Sequence, residues 1–139
     1  MPNSTKAKKR RASRADLEKK AERILADQGF FFLVYDVVDS RGESEKLGSD
    51  GRGLRIIMRK LREFNDNVAT RFKGEILRKK VGGRPFTFSL LIGDSGGGHF
   101  DSAEVIAPIM KIADLKLKFQ LRWAVARDEW DKEGLSIIR

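Results

Sequence analysis

The sequence predicts one α+β domain with a mainly antiparallel sheet that carries its helices on one face. Three observations lead to this fold class. Two short apolar runs have the composition of buried strands, and a segment with helical spacing separates them. A third segment near the C-terminus alternates apolar and polar residues. The length of 139 residues is sufficient for one hydrophobic core.

The first predicted element is a helix from about Ser13 to Gln28. Ser13 and Asp16 have the spacing of a capping box, and Gly29 offers a C-terminal stop. The run from Phe30 to Val38 is almost wholly apolar and rich in aromatic and β-branched residues, which predicts a central strand buried on both faces. After a long loop predicted over residues 43–53, helical spacing returns and predicts the longest helix. Its apolar face comprises Leu54, Ile57, Met58, Leu61, Phe64, Val68 and Phe72.

The second strand is predicted over Phe86 to Ile92. The preceding residues 75–81 are ambiguous and could form a basic edge strand. The run Gly96-Gly97-Gly98 after it predicts an irregular segment, because glycine weakens regular elements. A helix capped by Asp101 or Ser102 follows, and then a strand over residues 118–127. A short edge strand is expected over residues 135–138.

The predicted elements occur in the order helix, strand, helix, one or two strands, helix, strand. Two β-α-β halves that share one sheet describe a ferredoxin-like split arrangement. The helix that begins at Ser13 is then an N-terminal addition to this arrangement.

The net charge of +9 is concentrated near the N-terminus. Residues 1–23 contain nine Lys or Arg residues against three acidic residues, and residues 1–12 hold almost nothing that can be buried. We therefore expect a disordered basic tail over 1–12 and a single domain over 13–139. Such a tail attracts RNA or DNA by counterion release, or it is only a solvated tail. The candidate nucleic-acid contacts are Lys8, Lys9, Arg10, Arg11 and Arg14.

Cysteine is absent and histidine occurs once, which excludes a disulfide framework and a thiolate metal centre. No apolar run approaches the roughly 18 residues that span a bilayer, and the basic N-terminus lacks the apolar region of a secretory signal. We therefore expect a cytoplasmic protein without a membrane partner.

Two carboxylates occupy corresponding positions, Asp36 near the end of the first strand and Asp94 in the turn after the second. If these strands are neighbours, both side chains emerge at one edge of the sheet, where they could bind Mg²⁺ or Mn²⁺ together with a nucleoside triphosphate. Both would then be metal ligands and catalytic residues. The structural alternative pairs Asp36 with Arg41 or Arg122 and leaves Asp94 as a turn residue.

Four segments carry a resemblance to a known class of domains. They read Tyr35-Asp36-Val37-Val38-Asp39-Ser40-Arg41, Phe64-Asn65, Gly93-Asp94 and Leu121-Arg122-Trp123-Ala124-Val125-Ala126. Together they resemble SatD-like proteins and, more broadly, the palm domains of the nucleotide-cyclase and GGDEF class, including the minimal CRISPR-type polymerases. The resemblance covers residues 30–127 and implies a palm that binds a nucleoside triphosphate with two metal ions on Asp36 and Asp94. The sequence departs from the class at Ser95, where a second acidic residue is usual.

The glycine-rich segment from Gly93 to His99 offers another candidate site. Successive glycines before a helix could direct backbone N–H groups at a phosphate, although the Lys-Ser/Thr pair of a Walker loop is missing. A flexible hairpin tip is the alternative. The candidate phosphate contacts are Gly93, Ser95, Gly96, Gly97 and His99, together with Arg41, Lys111 and Arg122.

The sequence thus favours a metal-dependent nucleotide-binding palm, with nucleotidyl transfer or cyclisation to a cyclic or linear oligonucleotide as its reaction and a homodimer as its assembly. The alternative function is a non-catalytic nucleic-acid-binding module that uses the basic tail and the sheet surface. In that case Phe86 and Phe88 could stack on bases, unless they are core residues. Whether the protein is an enzyme stays open.

Overall fold

The computed structural model describes residues 13–48, 51–81 and 83–127. The elements in chain order are α1 (Arg14–Gln28), β1 (Phe31–Val37), α2 (Ser40–Leu47), α3 (Arg52–Arg71), β2 (Ile76–Leu77), β3 (Lys79–Val81), β4 (Arg84–Phe86), β5 (Ser89–Ile92), β6 (Ser95–Phe100), α4 (Ile106–Lys116) and β7 (Leu121–Ala126). A 3₁₀ turn over Ala103–Val105 leads into α4. The predicted basic tail and the strand predicted over 135–138 lie outside the described residues.

The main sheet is antiparallel throughout, with β1 between β7 and β6, and with both β2 and β5 paired to the other edge of β6. Strands β3 and β4 form a separate two-stranded ladder. In this order β1 lies between β6 and β7, which the chain connects through α4, so that this β-α-β unit is split by an antiparallel strand. The predicted α+β class and the mainly antiparallel sheet are confirmed.

Strand alternation divides the core into two parts. Phe31, Leu33, Tyr35 and Val37 face the side of the sheet on which α1, α3 and α4 pack. Phe32 and Val34 face the opposite side and pack with alanines of β7. All seven residues of β1 are buried, which confirms the prediction of a central strand. Within the described ranges, no helix combines the length and the apolar character needed to cross a membrane.

The start of α1 follows from its sequence. The Ser13 hydroxyl accepts a hydrogen bond from the Asp16 N–H at 3.2 Å, and the Asp16 carboxylate accepts one from the Ser13 N–H at 3.4 Å. Gly29 ends the helix in the left-handed conformation, with φ of 83°. The capping-box prediction is therefore confirmed.

The predicted long loop over residues 43–53 is wrong, because α2 occupies its first half. Asp39 caps this helix by accepting a hydrogen bond from the Gly42 N–H at 3.3 Å. None of the eight described residues of α2 is buried, so no apolar stripe marked it in the sequence. Gly53 lets α3 approach α2 closely, since a Cβ there would lie 1.7 Å from the Ser44 carbonyl oxygen.

The prediction of an irregular segment at the three glycines is also wrong. They lie in β6, which pairs with β1 and β5 and is buried along its whole length. A Cβ on Gly96 would lie 2.5 Å from the Tyr35 hydroxyl oxygen, and one on Gly97 would lie 2.1 Å from the Leu33 carbonyl oxygen. Glycine is required here because neighbouring backbone and side chains fill the space that a Cβ would occupy.

We predict that Gly97→Ala lowers the free energy of unfolding by about 3 kcal/mol, the upper end of the usual cost of overpacking, because the clash is with backbone. Chemical denaturation followed by circular dichroism measures the change. The matched control is Gly74→Ala, where nothing lies within 4 Å of the added Cβ. Equal stability of the two variants would contradict the close approach of β1 and β6.

Candidate functional site

The end of β1 places Asp36 on the sheet face away from the helices, where it pairs with Arg122 of β7. The two residues are direct partners in the antiparallel ladder. Arg122 Nε donates to Asp36 Oδ1 at 3.1 Å, and Arg122 Nη2 donates to Asp36 Oδ2 at 2.8 Å. Asp36 is 6% exposed, so this two-point contact neutralises a buried charge. Of the two arginines that the sequence proposed as partners, the structure selects Arg122 and leaves Arg41 exposed on α2.

The hydrogen bond to Asp36 raises the pKa of the Arg122 guanidinium above its ordinary value. Arg122 therefore stays charged at every pH at which the protein is folded. As a consequence, it is committed to Asp36 rather than available to a phosphate in this arrangement.

Asp94 lies in the turn between β5 and β6, at the same edge of the sheet as Asp36. Tyr35 pairs with Gly96 in the ladder, so the end of β1 and the beginning of β6 meet at this edge. The prediction that the strand of Asp36 and the strand before Asp94 are neighbours is wrong, because β6 lies between β1 and β5. Asp94 contributes to raising the pKa of Tyr35, whose ring faces the helices. Asp36 faces the other side, so a shared ion would have to bind at the rim itself. No group of three or more His, Cys, Asp or Glu side chains suited to a metal ion occurs in the described part of the chain.

The buried side of this edge contains a hydrogen bond between Tyr35 and Asn65 of α3. The Tyr35 hydroxyl donates to Asn65 Oδ1 at 2.7 Å. Burial raises the pKa of Tyr35 well above its usual range; the bond to Asn65 lowers it, and the negative charge of Asp94 raises it further. The phenol is thus neutral and fixes the orientation of the Asn65 amide.

Asn65 also lines a pocket of about 400 Å³ between α3 and β5, which we call the Asn65 pocket. Asn65 is 3% exposed, and its Nδ2 donor has no hydrogen-bond partner among the described residues. A buried donor without a partner costs about 1–3 kcal/mol, which a ligand acceptor would recover. The remaining lining residues are Met58, Arg62, Asp66, Ser89, Leu90, Leu91 and Gly93.

A second cavity, a groove of about 540 Å³ on the outer side of α3, lies next to this pocket. We call it the arginine groove. It shares Met58 and Arg62 with the Asn65 pocket. No arginine of the groove forms a salt bridge within the described ranges. Its lining residues are Arg52, Arg55, Ile56, Met58, Arg59 and Arg62.

The glycine-rich phosphate loop that the sequence proposed is not a loop. Ser95, Gly96, Gly97 and His99 are buried residues of β6, and their backbone belongs to ladders with β1, β2 and β5. His99 lies against the rings of Phe30, Phe32 and Phe86. The flexible hairpin tip proposed as an alternative is equally wrong for residues 95–99. Gly93, in the turn, lines the Asn65 pocket.

The remaining candidates are distributed over the surface or the core. Arg14 begins α1, where its Nε lies 3.9 Å from Glu18 Oε1, and Lys111 is exposed on α4. Phe88 is a core residue that is 2% exposed, and Phe86 packs edge to face on Phe32. These two aromatic residues therefore do not form an open stacking surface. Lys8, Lys9, Arg10 and Arg11 lie outside the described residues.

Sequence reasoning did not assign a role to Asn65 or to the arginines of α3. Asn65 was identifiable as a polar residue on the apolar stripe, four positions after Leu61 and three before Val68. The arginines were visible between the apolar positions, but such charges usually mark a solvated helix face. Their lack of acidic partners becomes apparent only in three dimensions.

No protein-family model matches this chain, and no curated protein or solved structure is significantly similar to it. The resemblance to palm domains therefore depends on the four sequence segments alone. Function has to be inferred from the geometry of this molecule.

We predict that Tyr35, the sole tyrosine of the sequence, does not ionise in the folded protein up to about pH 11, because burial raises its pKa. Ultraviolet absorbance during an alkaline titration measures phenolate directly. The same chain unfolded in guanidinium should titrate near pH 10, as an ordinary tyrosine does. Since the folded pKa is the higher one, the contribution of Tyr35 to the free energy of unfolding should be constant below about pH 10 and fall above it. Titration of the folded chain at the ordinary value would contradict the burial of Tyr35.

We predict that Arg122→Leu destabilises the protein by about 2 kcal/mol, because it leaves a buried carboxylate without its partner. This value lies below the usual range for buried pairs because the Arg122 side chain is 43% exposed. Arg14→Leu is the matched control, since it removes a surface pair and should cost less than about 0.5 kcal/mol. Urea denaturation compares the two. A stability loss no larger for Arg122→Leu than for the control would show that the pair is not structural.

Proposed function

We propose that the protein is a palm-like domain that binds a nucleotide in the Asn65 pocket, in a metal-dependent manner, and transfers or cyclises the nucleotidyl group. The observation that carries this proposal is Asn65, which has a buried, unpaired Nδ2 donor and lines a pocket that shares Met58 and Arg62 with a groove of arginines. A nucleotide has both of the features that this arrangement requires, a polar base with acceptor atoms and a chain of phosphates.

The Asn65 pocket is suited to the base. Its walls include the apolar side chains of Met58, Leu90 and Leu91, which contact a flat ring well, and its volume lies within the range of small-molecule sites. The amide of Asn65 supplies one oriented donor because Tyr35 holds its oxygen. Asp66 in the same wall supplies an acceptor for an amino group. The pocket therefore distinguishes polar ring edges from purely apolar rings.

The phosphates would extend toward Arg62 and the arginine groove, since Arg62 lines both the pocket and the groove. Guanidinium groups bind phosphate oxygens through two parallel hydrogen bonds, which makes arginine well suited to this position. The +9 net charge adds a favourable long-range attraction for polyanions.

Asp94 and Asp36 are the proposed ligands of Mg²⁺ or Mn²⁺. Mg²⁺ is usually held by one or two protein carboxylates together with substrate phosphates, so Asp94 alone would satisfy this mode of binding, and Asp36 would join it only at the rim between the two faces of the sheet. Asp94 forms no salt bridge with the described residues, whereas both oxygens of Asp36 accept hydrogen bonds from Arg122. When bound, the metal would supply charge neutralisation at the phosphates. Of this chain's residues, Asp94 is accordingly the principal ligand and Asp36 the secondary one.

The absence of cysteine fits a reducing compartment, and we place the proposed activity in the cytoplasm. A phosphoryl-transfer site needs mainly positioning and charge neutralisation, which a small domain can provide.

We predict that the full chain binds at least one nucleoside triphosphate in the presence of Mg²⁺ or Mn²⁺, and that chelation of the metal weakens this binding. Isothermal titration calorimetry with each of the common nucleoside triphosphates measures the affinity. Asn65→Leu should weaken binding about tenfold or more, because one hydrogen bond to the base is lost. Asp94→Asn should abolish the difference between metal-containing and chelated samples.

Tyr35→Phe is the matched control for Asn65→Leu. It removes the same hydrogen bond between Tyr35 and Asn65 but leaves the Nδ2 donor in the pocket wall. We expect it to retain most of the affinity. Absence of nucleotide binding to the unmodified chain, or an equal loss of nucleotide affinity in the two variants, would contradict the proposal. Separation of the reaction products by chromatography then tests for nucleotidyl transfer.

A further inference from the structure

The arginines of α3 form a continuous row. At 100° per residue, Arg52, Arg55, Arg59 and Arg62 fall within about 80° of the helix circumference, and at 1.5 Å per residue they span about 15 Å. All four side chains are exposed. The row lies on the side of α3 opposite to its buried residues, among them Ile57 and Leu61. One face of a single helix therefore presents four positive charges in a line.

This row differs from an ordinary solvated helix face. Exposed helix faces commonly alternate charges at positions three and four apart, whereas residues 52–62 of α3 contain no acidic residue and the helix begins at Gly51 without a side-chain cap. Asp66, four positions after Arg62, lies on the same face and ends the row. Arg52 and Arg55 lie in that first turn, where the helix dipole disfavours cations. The arrangement costs stability in the isolated chain, and an anion bound along the row would relieve it.

From these observations we infer that the arginine row of α3 binds the phosphodiester backbone of a single-stranded nucleic acid whose terminal nucleotide enters the Asn65 pocket. This inference rests on the proposed function, because it assigns to the pocket the last nucleotide of a strand. The paired N–H groups of an arginine guanidinium match two oxygens of a phosphate, and a row about 15 Å long accommodates several consecutive phosphates.

Two features of the molecule select this partner. A second copy of the chain also carries a charge of +9, so the row repels it rather than attracting it. The groove adjoins a pocket of about 400 Å³ lined by Asn65, which an unpaired nucleotide can enter and a base within a duplex cannot. A single strand satisfies both the row and the pocket.

The decisive experiment measures fluorescence anisotropy of short labelled oligonucleotides with the full chain over a series of salt concentrations. The probes are single-stranded RNA, single-stranded DNA and a blunt duplex of the same length. The test variant is the double substitution Arg55→Gln with Arg59→Gln. The control is Lys60→Gln with Arg71→Gln, which removes the same charge from exposed positions on the same helix outside the row. The basic tail is present in every protein, so its contribution is constant.

We expect tighter binding of single strands, of either sugar type, than of the duplex. The test variant should bind about tenfold more weakly, and the slope of log K against log salt should fall by about 1.4, or about 0.7 for each phosphate that no longer meets an arginine. The control should change affinity less than about twofold. Equal losses in the two double variants would show that only net charge matters, and equal affinity for the duplex would exclude the terminal nucleotide in the pocket. Either result would overturn the inference.

Titration of mononucleotides into the same proteins separates this inference from the proposed function. If nucleoside triphosphates bind but the affinity for single strands does not depend on Arg55 and Arg59, the proposed function survives and the inference fails. The other outcome is that the affinity for single strands depends on the row, but nucleoside triphosphates neither bind nor displace the strand. The pocket assignment and the proposed function then fail together. Displacement of the strand by the nucleoside triphosphate supports both.

Discussion

The central strand β1 is buried on both faces, so each polar group that it carries must find a partner inside the protein. It carries two such side chains in succession, and alternation sends them to opposite faces. Tyr35 points toward the helices and pairs with Asn65, while Asp36 points away and pairs with Arg122. These two requirements fix the position of α3 on one side and the register of β7 on the other.

The same pairing creates the proposed site. Tyr35 occupies the oxygen of Asn65, the amide nitrogen has no acceptor among the described residues, and Asn65 is part of the pocket wall. Trp123 and Phe64 pack edge to face on the Tyr35 ring, so the donor is held by a rigid aromatic cluster. A preorganised donor loses little entropy when a ligand binds, which favours affinity. The arginines of α3 then add charge next to a site whose shape is already set.

The sequence predicted those elements that carry a local signal. The capping box of α1 and the apolar run of β1 both specify their structure within a few residues, and both are confirmed. Helix α2 carries no such signal, because none of its residues is buried and its sequence therefore has no apolar stripe. The glycines of β6 were misinterpreted because glycine weakens isolated strands, whereas here the close approach of Tyr35 and Leu33 excludes any larger residue.

The candidate site was less predictable, since it depends on contacts between distant parts of the chain. Asp36 and Arg122 are 86 positions apart, and only the register of β1 with β7 selects Arg122 over Arg41. The sequence argument for a common edge of Asp36 and Asp94 assumed that β1 and β5 are neighbours, whereas β6 separates them, and it did not give the face on which each side chain lies. Asn65 attracts attention only once its unpaired donor and the adjacent pocket are known.

The ladder partners of β1 also constrain how the protein can be made. During synthesis the most apolar segment of the chain emerges early, whereas the strands that cover its edges, residues 95–100 and 121–126, are translated much later. Contacts of such sequence separation form slowly, and an uncovered phenylalanine-rich strand is prone to pair with other chains. Residues 31–37 therefore stay without their ladder partners until most of the chain has been translated.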